Sequence, residues 1–162
     1  MPRFFLSIML IGGIILCASC DKKRVFDDYK PVNGWNKDSI ITFKLGELDS
    51  VQAYNLFVNI RNNQDYKYSN LFLITQIQFP NGKVVSDTLE YEMTKPNGEW
   101  LGSGSGNVKE NKLWYKKEVR FDEAGEYMVK IQQAMRKNGE VDGIPILEGI
   151  TDVGFRIEHT EN

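Results

Sequence analysis

Few residues in this 162-residue chain could do chemistry: one histidine, two cysteines and a scatter of carboxylates. His159 is the fourth residue from the end, whereas a Ser-His-Asp or Cys-His arrangement needs its histidine buried beside a nucleophile. No His/Cys cluster has metal-ligand spacing and no cofactor motif is present, so neither a metal nor a cofactor is expected. Glycoside hydrolysis needs only two carboxylates, which leaves that option open. The adjacent pairs Asp27-Asp28 and Asp122-Glu123 fall in tether-like or turn-like sequence and read as solvated surface. Asp87 is less ordinary, because strict alternation puts it on the face of Val85, Leu89 and Tyr91, but a β-bulge near Ser86 that returns it to solvent is the preferred reading. Gly102-Ser-Gly-Ser-Gly106 lacks the Lys-Ser/Thr and the helix of a phosphate loop. It reads as a flexible connection or, beside Trp100, as an adaptable contact loop. Trp100, Gly102, Gly104 and Gly106 are its candidate partner-contact residues. The expectation is a protein without enzymatic activity.

The cysteines point elsewhere. Arg3 opens the chain, and Phe4 to Leu16 is apolar apart from Ser7 and two glycines. Such a run suits a secretory signal but is short of the ~20 apolar residues a membrane-spanning helix needs. Ala18-Ser19-Cys20 follows, two small residues before a cysteine, as in the lipobox of bacterial lipoproteins. Cys17 stands where such boxes usually carry leucine. Cys17-Ala-Ser-Cys20 as a redox pair is rejected, since no βαβ unit follows. Cys20 is therefore the expected lipidation site, and the partner it implies is a membrane. Two or three acyl chains hold stably where one does not, and Lys22-Lys23-Arg24 adds attraction to anionic headgroups.

Cleavage before Cys20 removes Arg3 and takes the formal net charge from −2 to −3, so nothing suggests nucleic acid as a partner. With Cys20 acylated the domain folds without disulfides. Beyond it, apolar residues recur with period two. Tyr54, Leu56, Val58 and Ile60 share one strand face, as do Leu71, Leu73, Ile77 and Phe79 against Gln76 and Gln78. Pro80-Asn81-Gly82 joins that run to Val84–Met93 as a hairpin. Val108–Phe121 carries Leu113, Tyr115, Val119 and Phe121 on one face, so the adjacent Trp114 must point the other way. Further strands are expected over Ser39–Leu45, Glu126–Ala134 and Ile150–Ile157. Residues 136–149 read as loop, with Gly139, Gly143 and Pro145. The fold expected is all-β, an antiparallel two-sheet β-sandwich of jelly-roll type, in a single domain. Its organisation is a signal peptide over 1–19, lipidated cysteine and tether over 20–34, and the sandwich over 35–162. Fourteen tether residues would reach about 50 Å at most. Trp35, Trp100 and Trp114 keep a sugar-binding reading open.

Several longer strings resemble the GldH family of gliding-motility lipoproteins. They include Tyr54-Asn-Leu-Phe-Val-Asn-Ile-Arg61-Asn62, Phe79-Pro-Asn-Gly-Lys83 with Asp87-Thr-Leu89, and Gly98-Glu-Trp-Leu-Gly-Ser-Gly104. Ala124-Gly-Glu-Tyr127, Gln133-Ala-Met-Arg136 and Asp152-Val-Gly-Phe-Arg-Ile157 continue the series in the same order. The resemblance implies a lipid-anchored, non-enzymatic envelope protein, with the other gliding lipoproteins and the adhesin secretion machinery as partners. It brings no catalytic residues and leaves any small-molecule ligand unknown. The family favours the outer membrane, and the basic rather than acidic run after Cys20 favours its periplasmic face.

Overall fold

A computed structural model describes residues 21–160; the signal segment and Cys20 lie outside the described residues. Strand β4 (Tyr54–Asn62) shows why this sequence makes sheet. Tyr54, Leu56, Val58 and Ile60 alternate along it and all four are buried. In β5 (Asn70–Gln78), Leu71, Leu73 and Ile77 turn inward while Gln76 and Gln78 stay half-exposed. In β10 (Ile150–His159), Val153, Phe155 and Ile157 do the same. β-branched and aromatic residues at period two fit a pleated, half-buried surface, and each such side chain contributes about 1.5–3 kcal/mol by leaving water.

The remaining long strands are β1 (Arg24–Pro31), β3 (Ile41–Leu45), β6 (Val84–Glu92), β7 (Lys109–Val119) and β8 (Tyr127–Gln133). The eight long strands pair antiparallel as a nested set: β1 with β10, β3 with β8, β4 with β7, β5 with β6. Two more pairings, β10 with β4 and β5 with β8, join them into sheets of order β1-β10-β4-β7 and β3-β8-β5-β6. First pairs with last and so on inward, which is the jelly-roll order. Short β2 (Trp35–Asn36) and β9 (Ile146–Leu147) add a two-stranded ribbon. The two sheets share one core, in which the Phe43 and Phe155 rings meet at 6.2 Å.

The tether expected over residues 20–34 is corrected. Arg24–Pro31 pairs with β10, and Phe26 packs 6.5 Å from the Phe155 ring. This stretch has the composition of a linker because its outward residues are polar, and their partners exist only in the folded sheet. Three residues, Asp21 to Lys23, separate Cys20 from β1.

The topology sorts the connections by end. Segments 46–53, 79–83 and 120–126 lie at the end where β1 starts and β10 finishes, here the anchor end. Segments 32–40, 63–69, 93–108 and 134–149, which include the two longest, gather at the other, the loop end.

Candidate functional site

At the anchor end, aromatic residues hold short turns. Phe121 packs 4.8 Å from Tyr127 and 6.0 Å from Tyr54, and Phe79 lies 5.3 Å from Tyr127. The buried rings lend their hydroxyls to backbone: Tyr127 Oη accepts from the Glu123 amide at 2.9 Å, and Tyr54 Oη accepts from the Asp49 amide at 3.1 Å. Burial pushes both phenols above their ordinary pKa. His159 is the last residue of β10. Its exposed ring lies 5.6 Å from Tyr54, and its amide donates to the Lys23 carbonyl.

At the loop end, Trp35 and Tyr66 form a buried platform. Trp35 Nε1 donates to the Ser39 carbonyl at 3.0 Å, and Tyr66 Oη donates to the Asn70 carbonyl at 2.6 Å. The Gln133 amide donates to the Ile144 carbonyl at 2.7 Å and accepts from the Met135 amide at 2.9 Å, which ties the 134–149 loop down. Gly149 has φ +83, and a Cβ there would meet the Tyr66 nitrogen at 2.0 Å, so only glycine allows this approach.

The contact residues expected from sequence sit on this platform. Trp100 is half-buried against the core, its ring 6.2 Å from that of Tyr66, and pairs with Thr94. Gly102 lies against Asn111, and a Cβ there would clash with its side-chain oxygen at 2.7 Å. Gly104, at φ +122, helps reverse the chain between the bridged residues Ser103 and Glu110, whereas Gly106 stands in open space at φ +97. The exposed apolar side chains on the 93–108 loop are Leu101 (49%) and Val108 (43%). Isolated aliphatics in glycine-rich sequence give no periodic signal, so sequence reading passed over them.

Asp87 keeps its inward parity. β5 and β6 pair over nine positions without a bulge, Asp87 opposite Thr75. Its carboxylate accepts from Tyr115 Oη at 2.8 Å and ion-pairs with Lys116 Nζ at 2.9 Å. Burial alone would raise its pKa, but these two donors outweigh that and hold it below the ordinary carboxylate range. Burial and the neighbouring Asp87 push the Tyr115 hydroxyl upward. With Tyr91 Oη donating to the Trp114 carbonyl at 2.7 Å, these contacts stitch edge strand β6 to edge strand β7. The carboxylate is fully engaged in holding the two sheets together.

The outward face of the β1-β10-β4-β7 sheet carries the densest polar array. Arg156 is its hub, bonded to Asp21, to Asp27 at 2.8 Å and to Glu158. Lys112 reaches the same Glu158 carboxylate at 2.6 Å. Asp27 and Asp28 point to different surroundings, Asp28 accepting from its neighbour's amide, so they do not act as a carboxylate pair. Tyr29 lies across Gly154, where a Cβ would be 2.8 Å from its ring, with Arg61 over its face at 4.0 Å and its hydroxyl donating to Glu110 at 2.7 Å. Nearer the anchor end, Phe57 and Trp114 meet at 4.3 Å under Lys112 and Lys117. A cleft of about 500 Å³ opens beside them. No group of three or more His, Cys, Asp or Glu residues placed to hold a metal ion occurs among the described residues.

Comparison with known proteins fits this layout. The chain is 66% identical over 162 residues to a gliding motility lipoprotein GldH homolog of Christiangramia forsetii, covering the whole of both chains. It is 53% identical over 155 residues to gliding motility lipoprotein GldH of Flavobacterium johnsoniae, covering 95% of this chain and 96% of that one. Among solved structures, a family GH115 4-O-methyl-alpha-glucuronidase matches 88% of this chain and 18% of its own at 13% identity and a TM-score of 0.41, too distant to bear on activity. The GldH lipoprotein family model matches residues 24–157, the span from β1 almost to the end of β10. This chain belongs to the GldH lipoprotein family.

Proposed function

We propose that the protein is a gliding-motility lipoprotein of the cell envelope. It acts there as a non-enzymatic assembly component, acylated at Cys20 on the periplasmic face of the outer membrane. One observation supports this most: the chain begins its first strand only three residues after Cys20, and the two longest connections, 93–108 and 134–149, lie at the opposite end. Such a molecule is held close to its membrane and presents a loop surface away from it. The loop end is where partner proteins of the gliding and secretion machinery would dock, through exposed Leu101 and Val108 and the Gly104–Gly106 turn. The acidic candidates for catalysis have structural partners: Asp87 holds Tyr115 and Lys116, and Asp27 holds Arg156.

The sugar-binding reading is less well supported. A glycan platform wants coplanar exposed rings, but Phe57 and Trp114 are tilted by 47°, and Phe57 is 3% exposed. Cations cover Tyr29, Phe57 and Trp114. The test is complementation of a gene deletion. Wild-type protein should restore colony spreading, and Leu101→Asp with Val108→Asp should fail to restore it at unchanged protein level and melting temperature. Full spreading by the double variant would remove the loop end as the docking surface.

A further inference from the structure

The cleft beside Trp114 lies at the anchor end, on the outward face of the β1-β10-β4-β7 sheet. Its lining includes Lys23, Lys112, Trp114, Lys117, Glu118 and His159. Two irregularities in the β4–β7 pairing build it. Register shifts between Tyr54 and Leu56 and between Leu56 and Phe57 give β7 extra residues there. Simple alternation would put Trp114 and Lys117 on opposite faces; the bulges bring them onto one, with Lys117 Nζ 4.7 Å from the Trp114 ring. Glu118 takes φ 53, the one positive φ at a non-glycine among the described residues. Backbone strain of this kind persists where the surroundings hold it, and it concentrates at functional sites.

Charge and position then favour one occupant. Glu158 is shared by Lys112 and Arg156, and Lys117 forms no ion pair among the described residues. Trp114 is 49% exposed, an amphipathic ring of the kind enriched at membrane–water interfaces. Lys23 lines the cleft and lies three peptide units from Cys20, which limits their Cα separation to about 11 Å. Acyl chains on Cys20 would therefore bring the cleft to the level of the lipid headgroups.

We infer that this cleft binds the phosphate of an anionic phospholipid in the leaflet that holds the anchor. Lys117 and Lys112 face the phosphate, and Trp114 lies along the glycerol region. The bound lipid fixes the tilt of the sandwich on the membrane, so that the loop end faces outward. The inference rests on acylation at Cys20, and the experiment separates the two. The mature chain from residue 20 with Cys20→Ser contains every strand of the fold and binds vesicles only through its own surface. It is mixed with vesicles of brominated phosphatidylglycerol and phosphatidylethanolamine, or of brominated phosphatidylcholine alone. Tryptophan fluorescence should be quenched by the anionic vesicles and not by the zwitterionic ones. Trp114→Phe should abolish the quenching, and Lys117→Gln should weaken binding about fivefold, as expected for one surface cation near anionic lipid. Equal quenching by both vesicle types, quenching that survives Trp114→Phe, or displacement by inorganic phosphate at equal concentration would each overturn the lipid site. Labelled palmitate fed to cells expressing the full chain reads the anchor separately. A chain that takes the label but shows no anionic quenching overturns the cleft alone; a chain that takes none overturns the anchor.

Discussion

The two ends of the sandwich are both closed by buried aromatic residues, yet they close it in different ways. At the anchor end, Tyr54, Phe121 and Tyr127 pack against one another, and their hydroxyls pin the backbone of short turns. Little surface is left there to vary, apart from the cleft beside Trp114. At the loop end, Trp35 and Tyr66 sit beneath connections that include the two longest of the fold, 93–108 and 134–149. A turn held by its own strands is stiff, whereas a long loop on a rigid platform can differ in shape without disturbing the core.

The largest expected effect breaks the loop-end platform. Trp35, 1% exposed, should cost about 3–5 kcal/mol when changed to Ala, seen as a large fall in melting temperature. Next comes β1, the strand that would set the distance from the membrane with acyl chains on Cys20. Arg156→Ala leaves Asp27 and Glu158 without their shared cation. It should destabilise by about 2 kcal/mol, less than a fully buried pair because the site is partly solvated. Hydrogen exchange should speed up first in β1, which would then lengthen the link to Cys20. Uniform faster exchange across all strands would mean that β1 is not a separable unit.

Asp87 gives a smaller and pH-dependent effect. Its folded pKa is depressed, so its contribution is present above the unfolded value of about 4 and is lost as pH falls through the folded one. Asp87→Asn should lower stability by about 1–3 kcal/mol at neutral pH, and the gap from wild type should close below about pH 4. Chemical denaturation across pH checks this; a gap that persists in acid would show that Asp87 acts by shape and not by charge. The smallest stability effect belongs to Leu101→Ser with Val108→Ser, which should stay within about 0.5 kcal/mol because both side chains stand in solvent. A greater loss would move these residues from contact surface to packing.

Sequence alone carried much of this architecture, for reasons visible in particular residues. Alternation in Tyr54–Ile60 and Leu71–Phe79 marks strands whose two faces meet different surroundings, and the Asn81-Gly82 turn marks their hairpin neighbour. The opposite orientations of Trp114 and Tyr115 also followed from period two, whereas for Asp87 the favoured bulge near Ser86 does not occur and strict alternation holds instead. β1 did not show itself, because Arg24–Pro31 has a short apolar face and an outer face of charges that resemble a linker until Arg156 is placed beside them. The bulges in β7 were equally hidden: an extra residue leaves composition unchanged and shifts only the register, so the meeting of Trp114 with Lys117 has no local signature. The meeting of Trp100 with Tyr66 had no local signature either, because the two lie on different loops.

The central claim is polarity: the anchor end against the membrane and the loop end away from it. Strands of nine or ten residues separate the ends by roughly 30 Å at ~3.3 Å per residue. Fluorophores placed singly at Ser50→Cys and Ser105→Cys, both exposed and at opposite ends, read this directly in the acylated protein on vesicles carrying a headgroup quencher. The account predicts strong quenching at position 50 and almost none at position 105. Equal quenching at the two positions, or stronger quenching at 105, would contradict it.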